Sequence, residues 1–124
     1  MKLWLDDLRP APEGWVWVKT VAEAKKAIKA NDVEVASLDH DLGGDPTKDK
    51  DANNENGMCL MNWLELLHLE GRPRWPKCII IHSVNPHASI QMFEVASRYT
   101  WAYQKPFGTT VVWGIQPYVR STET

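Results

Sequence analysis

The chain reads as one α/β domain with a mainly parallel sheet, and three observations predict it. Short β-rich apolar runs alternate with helical patterns, and almost every such run stops at a charged or polar side chain. The length, 124 residues, suits a single domain that buries roughly two-thirds of its unfolded surface. Strand-to-helix alternation along one chain implies crossovers, and a crossover helix joins parallel neighbours. No internal repeat and no linker divides the sequence.

The elements follow in order. Residues 2–5 (KLWL) form a first strand that stops at Asp6-Asp7, and 15–19 (WVWVK) a second. The segment 20–31 (TVAEAKKAIKAN) opens with Thr20 as N-cap and Glu23 three residues on, a capping box, and Val21, Ala24, Ala27 and Ile28 share one helical face. Residues 33–38 (VEVASL) form a third strand ending at Asp39. Residues 57–71 (GMCLMNWLELLHLEG) are a strongly apolar helix closing at Gly71. The run 77–81 (KCIII) is the clearest buried strand and opens onto His82. Residues 87–99 (HASIQMFEVASRY) carry Ile90, Phe93, Val95 and Ala96 as a third amphipathic helix. Residues 100–104 (TWAYQ) make a weaker fifth strand ending at Lys105-Pro106.

Two segments are irregular. The connection 8–14 (LRPAPEG) is too short and proline-rich for a crossover helix. An extended chain of this length can still run back along one face of a short strand, which keeps the second strand parallel; an antiparallel edge strand is the alternative. The segment 43–56 (GGDPTKDKDANNEN) is polar and helix-breaking. Asp49, Asp51 and Asn53 have calcium-loop spacing, but Asn54 stands at the turn glycine and Leu60 at the bidentate glutamate. A lid over residues 44–56 is the better reading.

Composition excludes several classes. The formal charge of −2 gives no overall basic field to draw the chain to duplex DNA or a membrane. No run approaches a membrane span and the N-terminus has no signal-peptide pattern, so a cytoplasmic location is expected. Cys59 and Cys78, each inside an apolar run, read as buried free thiols. Of seven tryptophans, Trp4 and Trp63 fit core positions; Trp15, Trp17, Trp75, Trp101 and Trp113 sit near turns or segment ends and read as packing over core edges.

In an open parallel sheet, ligands bind beyond the carboxyl ends of the strands. Asp6-Asp7, Asp39-His40-Asp41, His82-Ser83 with Asn85, and Lys105 all fall there. One such ending is unremarkable, but several on one edge form a site. In order and placement they resemble the receiver domain of bacterial two-component systems. Receivers carry an acidic pair after strand one and a phosphoacceptor aspartate after strand three. A Ser or Thr follows strand four, and Lys-Pro follows strand five. Here Asp6-Asp7, Asp39, Ser83 and Lys105-Pro106-Phe107 match, with Asn56-Gly57-Met58 and Leu60 similar to a receiver helix opening and Ala102-Tyr103 similar to the text before its lysine. The resemblance covers roughly residues 2–110 and implies a receiver-like (flavodoxin-like) sheet of order 2-1-3-4-5.

The departures narrow the resemblance. The first receiver helix is missing, and His40, Asp41 and the polar segment surround the acceptor position. Strand four leads into His-Ser-Val-Asn-Pro. The motifs LDDLRP, LDHDLGG and IHSVNP are similar to those of the receiver offshoot called the cyclic-phosphate-processing receiver-like domain. That resemblance implies a phosphoesterase that opens a cyclic phosphate on a nucleotide or RNA end, in the setting of RNA repair or nucleotide conflict.

On this reading His40 and His82 share acid and base work beside Asp39, and Asp41, Ser83, Asn85, Lys105 and Arg9 bind substrate. Crowded carboxylates motivate Mg²⁺ or Mn²⁺ between Asp6, Asp7 and Asp39. The rival is a metal-independent site in which the carboxylates orient the imidazoles. His68 reads as a surface residue, and His87, near a helix start, as a weaker candidate for the site. Two other functions stay open. One is a phosphoacceptor receiver that works through a protein partner once Asp39 is phosphorylated; the other is a non-catalytic nucleotide-binding protein. The missing first helix, which shapes the usual receiver output face, counts against the former.

Overall fold

The computed structural model describes residues 1–42 and 55–105. Five strands and three helices alternate: β1 (Lys2–Leu5), β2 (Val16–Val18), α1 (Val21–Ala30), β3 (Val35–Leu38), α2 (Gly57–Leu69), β4 (Cys78–Ile81), α3 (Pro86–Ser97) and β5 (Trp101–Gln104). All pairings are parallel and the sheet order is β2-β1-β3-β4-β5, as the receiver resemblance implies. The connection 8–14 does lead into a parallel β2, so the antiparallel alternative is excluded. It turns at Pro12–Trp15, where the Trp15 N–H donates to the Pro12 carbonyl at 3.1 Å and Gly14 takes φ +86°. That left-handed backbone suits glycine at the third position of a type II turn. The expected lid and the residues from Pro106 onward, including Phe107 and Trp113, lie outside the described residues or, like Glu55 and Asn56, at their margin.

Helix ends follow local chemistry. Thr20 Oγ1 accepts from the Glu23 N–H at 3.1 Å, and the Glu23 carboxylate returns to the Thr20 hydroxyl and the Lys19 N–H. Asn56 and Asn85 cap α2 and α3 through their side-chain oxygens, and Pro86 takes the first turn of α3, where its missing N–H costs nothing. At the far end of α2, Gly71 at φ +78° lets the Arg72 N–H reach back to the Leu67 carbonyl at 2.8 Å.

Strand alternation divides the sheet into two faces. Leu3, Leu5, Ala36, Leu38, Ile79, Ile81 and Ala102 join the main core with Val21, Ala24 and Ile28 of α1, Leu60, Met61 and Leu64 of α2, and Met92, Val95 and Ala96 of α3. The helices touch in the order α1–α2–α3, forming one layer. Trp4, Ser37 and Ile80 alternate with those core residues and point to the opposite face, yet all three are buried. Trp15, from the short connection, meets Trp4 edge-on at 6.2 Å. The connection that replaces a helix therefore brings an aromatic ring onto the face that a first helix covers in receivers.

Some side chains depart from expectation. Trp63 is only partly buried, with Lys25 and Lys29 each 5.7 Å from its ring, so it belongs to the edge of the core. Trp75 stacks on Tyr99 at 5.0 Å, which fits edge packing. Both cysteines are free thiols but half-buried rather than fully buried.

Candidate functional site

The parallel ladder runs one residue past each strand at its carboxyl end. The Asp6 N–H donates to Val18, Asp39 to Leu5, His82 to Leu38 and Lys105 to Ile81, at 3.1, 2.9, 3.0 and 2.8 Å. These backbone bonds set Asp6, Asp39, His82 and Lys105 in a row along one edge, before any side chain is considered. Gly57 completes the floor. Its N–H donates to the His40 carbonyl at 3.0 Å, and a Cβ there would lie 2.4 Å from the Asp39 carbonyl oxygen. Only glycine lets α2 approach the Asp39–His40 backbone this closely.

Asp6 is the best-bonded residue of the site. Oδ1 accepts from the Leu8 and Arg9 N–H groups at 2.9 and 2.8 Å, closing a local turn. Oδ2 accepts from Arg9 Nε at 2.8 Å and His82 Nε2 at 3.0 Å. Burial alone would raise its pKa. The bonds from His82, Arg9 and Leu8 and the Arg9 charge outweigh that and hold it at about 2. Two indoles fix the same turn from outside: Trp17 donates to the Asp6 carbonyl at 2.7 Å and Trp4 to the Arg9 carbonyl at 2.8 Å.

His82 faces inward. Its side chain is 1 % exposed, its ring stacks on Trp4 at 4.2 Å, and both nitrogens are engaged: Nε2 with Asp6 and Nδ1 with Ser37 Oγ at 2.7 Å. An ionised Asp6 only accepts, so Nε2 carries the proton and Nδ1 accepts from Ser37. Burial lowers the His82 pKa, helped by the Arg9 and Lys105 charges and opposed by Asp6, which keeps the ring neutral. His82, expected to share acid and base work with His40, thus has both ring nitrogens occupied by protein partners. The Ser37–His82–Asp6 chain is not a hydrolytic triad, because Ser37 is fully buried.

His40 is the open histidine. Its Nδ1 lies 2.7 Å from Asp41 Oδ1, and the side chain keeps 16 % exposure. The Asp41 carboxylate can only accept, so Nδ1 donates to it, and Nε2 is the ring nitrogen without a partner among the described residues. Asp41, expected to contact substrate, pairs with this imidazole through Oδ1. Asp39 Oδ1 accepts from the His40 N–H at 2.8 Å, and its Oδ2 lies 3.6 Å from Arg9 Nη2. Burial and then the Asp6 charge push the Asp39 carboxyl up to about 6, against the pull of Arg9 and the His40 N–H.

The remaining predicted residues divide. Ser83 is buried and its Oγ accepts from the Asn85 N–H at 3.1 Å. Asn85 uses its side-chain oxygen to accept from the Ala88 N–H at 3.1 Å as the cap of α3, a bond that leaves its amide NH2, the group expected to meet phosphate, unused. Lys105 stands at the edge, its pKa lowered by burial and the Arg9 charge. His87 is exposed on the first turn of α3. His68 lies on the surface of α2, as expected, against the Tyr99 ring at 4.5 Å.

Asp6, Asp7 and Asp39 do converge, with one oxygen from each within 4.8 Å of the others. A cation shared by all three does not fit the arrangement described. Each oxygen of Asp6 already receives two donors, so a metal would have to displace Arg9 or His82. Among the described residues, Asp7 Oδ1 is the one carboxylate oxygen shut from solvent without a hydrogen bond.

A parallel sheet of order 2-1-3-4-5 with acidic residues after β1 and β3 and a lysine after β5 defines a receiver-type domain. A family model described as the cyclic-phosphate processing receiver domain matches residues 1–98, and the chain belongs to that family. No curated protein and no solved structure matches it. Among the described residues no helix is long and apolar enough to cross a membrane.

Sequence reasoning missed Ser37, Trp4, Trp17 and the organising part of Arg9. Ser37 had a signal: a lone hydroxyl inside a buried strand needs a partner on a neighbouring strand. The indole donors had none, because each reaches a backbone carbonyl of the 6–9 turn, whose path the residue types do not specify.

Proposed function

We propose that the domain opens a cyclic phosphate on a nucleotide or RNA end, with His40 as the proton carrier. The observation that carries this reading is the His40–Asp41 pair, placed directly after Asp39 and partly open to solvent. Water attacks phosphorus, one ring P–O bond breaks, and the products are a phosphate monoester and a free hydroxyl. His40 Nε2 takes the proton from the attacking water and returns it to the released oxygen. Asp41 holds the tautomer and stabilises the imidazolium between the two transfers. Arg9, whose side chain is 43 % exposed, and Lys105 meet the phosphate charge from the same edge. His82 acts through Asp6, holding the turn that carries Arg9.

The family name supports cyclic-phosphate processing, and the half-exposed Arg9 side chain, 3.6 Å from the Asp39 carboxylate that precedes His40, supports an anion at this edge. The test is incubation with a panel of 2′,3′- and 3′,5′-cyclic nucleotides and cyclic oligonucleotides, with and without Mg²⁺, read by mass. A gain of one water by at least one member is expected. No turnover of any member, or labelling of Asp39 by a small phosphodonor, would favour the binding or phosphoacceptor readings instead.

A further inference from the structure

Three carboxylates on one edge need a cation, and the chain brings its own. Arg9 Nε is 2.8 Å from Asp6 Oδ2, while Nη2 lies 3.6 Å from Asp39 Oδ2 and donates to the His82 carbonyl at 3.3 Å. One guanidinium thus touches the acidic residues at the ends of β1 and β3 and the backbone at the end of β4. From these contacts we infer that Arg9 is the resident cation of the acidic site, standing where a divalent ion would otherwise bridge Asp6, Asp7 and Asp39. A guanidinium suits this position because its planar fork addresses two carboxylates at once and it stays charged at every working pH.

The surroundings hold Arg9 there. Its N–H is bound to Asp6 Oδ1 and its carbonyl to the buried Trp4 indole, so the backbone cannot swing away without breaking both. His82 shares Asp6 Oδ2 with Arg9 Nε and presses the carboxylate into position from the buried side. A divalent ion and Arg9 compete for the same Asp6 oxygen, so binding of one excludes the other. Removing the guanidinium frees an Asp6 lone pair next to Asp7 Oδ1, which among the described residues takes no donor. These contacts hold whether or not the domain opens a cyclic phosphate. Arg9 then works on two sides, its inner edge neutralising the carboxylates and its exposed side left to meet an anion.

The experiment uses Mn²⁺ alone, followed by the loss of its free electron paramagnetic resonance signal at neutral pH. The wild-type chain is expected to leave Mn²⁺ free up to millimolar concentrations. Arg9→Met is expected to take up one Mn²⁺ at least tenfold more tightly, and Asp7→Asn added to it should remove that uptake. Should Arg9→Met lose its fold by circular dichroism, Arg9→Gln, which keeps an amide donor for Asp6, carries the same expectation. Wild-type uptake as tight as that of the Arg9 variants overturns the inference, as does an absence of uptake by folded Arg9 variants. None of these outcomes requires turnover, so a failure here is separable from a failure of the proposed reaction.

Discussion

Asp39→Asn should make the protein more stable at neutral pH. The Asp39 side chain is 6 % exposed, and burial beside Asp6 raises its pKa from 3.8 to about 6. Two pKa units correspond to about 3 kcal/mol of preference for the protonated carboxyl in the folded chain. Folded Asp39 thus keeps its proton to higher pH than the unfolded chain does, and wild-type stability falls as pH rises from about 4 through about 6. An amide carries no charge to desolvate and still accepts from the His40 N–H, so most of that cost disappears in the variant. The expected gain is about 2–3 kcal/mol at pH 7, worth roughly 3–6 °C in Tm per kcal/mol at this chain length. The assay is urea unfolding of both proteins from pH 3.5 to 8. The two curves should converge near pH 4 and separate fully above pH 6. A variant less stable than wild type at pH 7, or a gap that does not change with pH, would show that burial of the Asp39 charge carries no such cost.

Asp6 acts at the other end of the scale with opposite sign. Its carboxyl is held at about 2, so it stabilises the fold above pH 4 and that contribution, about 2 kcal/mol, is lost as pH falls from about 4 through about 2; acid unfolding of wild type against Asp6→Asn reads it. Gly57→Ala should destabilise by about 2 kcal/mol or more although alanine is the better helix former, because the new Cβ meets the Asp39 carbonyl at 2.4 Å and Met92 Cε at 2.7 Å. A neutral or stabilising result in thermal unfolding would mean that α2 can retreat from the site at no cost. His82→Ala should cost about 3 kcal/mol, since it removes a buried ring stacked on Trp4 and strips Asp6 and Ser37 of a partner. His40→Ala, on the open edge, should change stability by less than about 1 kcal/mol by the same measurement.

The fold was legible because each strand is short, apolar and punctuated. Asp6, Asp39, His82 and Lys105 mark the strand ends, and the continued ladder bonds place them on one edge as the sequence order implies. The parallel first pair was only partly legible: the connection 8–14 is long enough to return along a short strand, but an antiparallel edge strand stayed open until the register of β1 and β2 decided it. Side-chain direction was less legible. His82 and His40 both follow a strand end, and the sequence treats them alike. Yet one turns onto the Trp4–Ser37 face and is enclosed, while the other turns outward to Asp41. His82 is decided by cross-strand neighbours, which depend on the register of β1, β3 and β4, whereas His40 pairs with the residue beside it. Arg9 could be named as a cation near the site, but its grip on Asp6 depends on an Asp-turn closed by its own N–H.

If His40 moves the proton when a cyclic phosphate is opened, its loss must show in the rate and leave the fold alone. The direct measurement is the mass of the nucleotide after incubation with wild type or His40→Ala under identical conditions. Wild type should add one water to a cyclic substrate, and His40→Ala should do so about 10²–10⁴-fold more slowly while keeping its fold. Equal rates from the two proteins would contradict a proton-carrying role for His40.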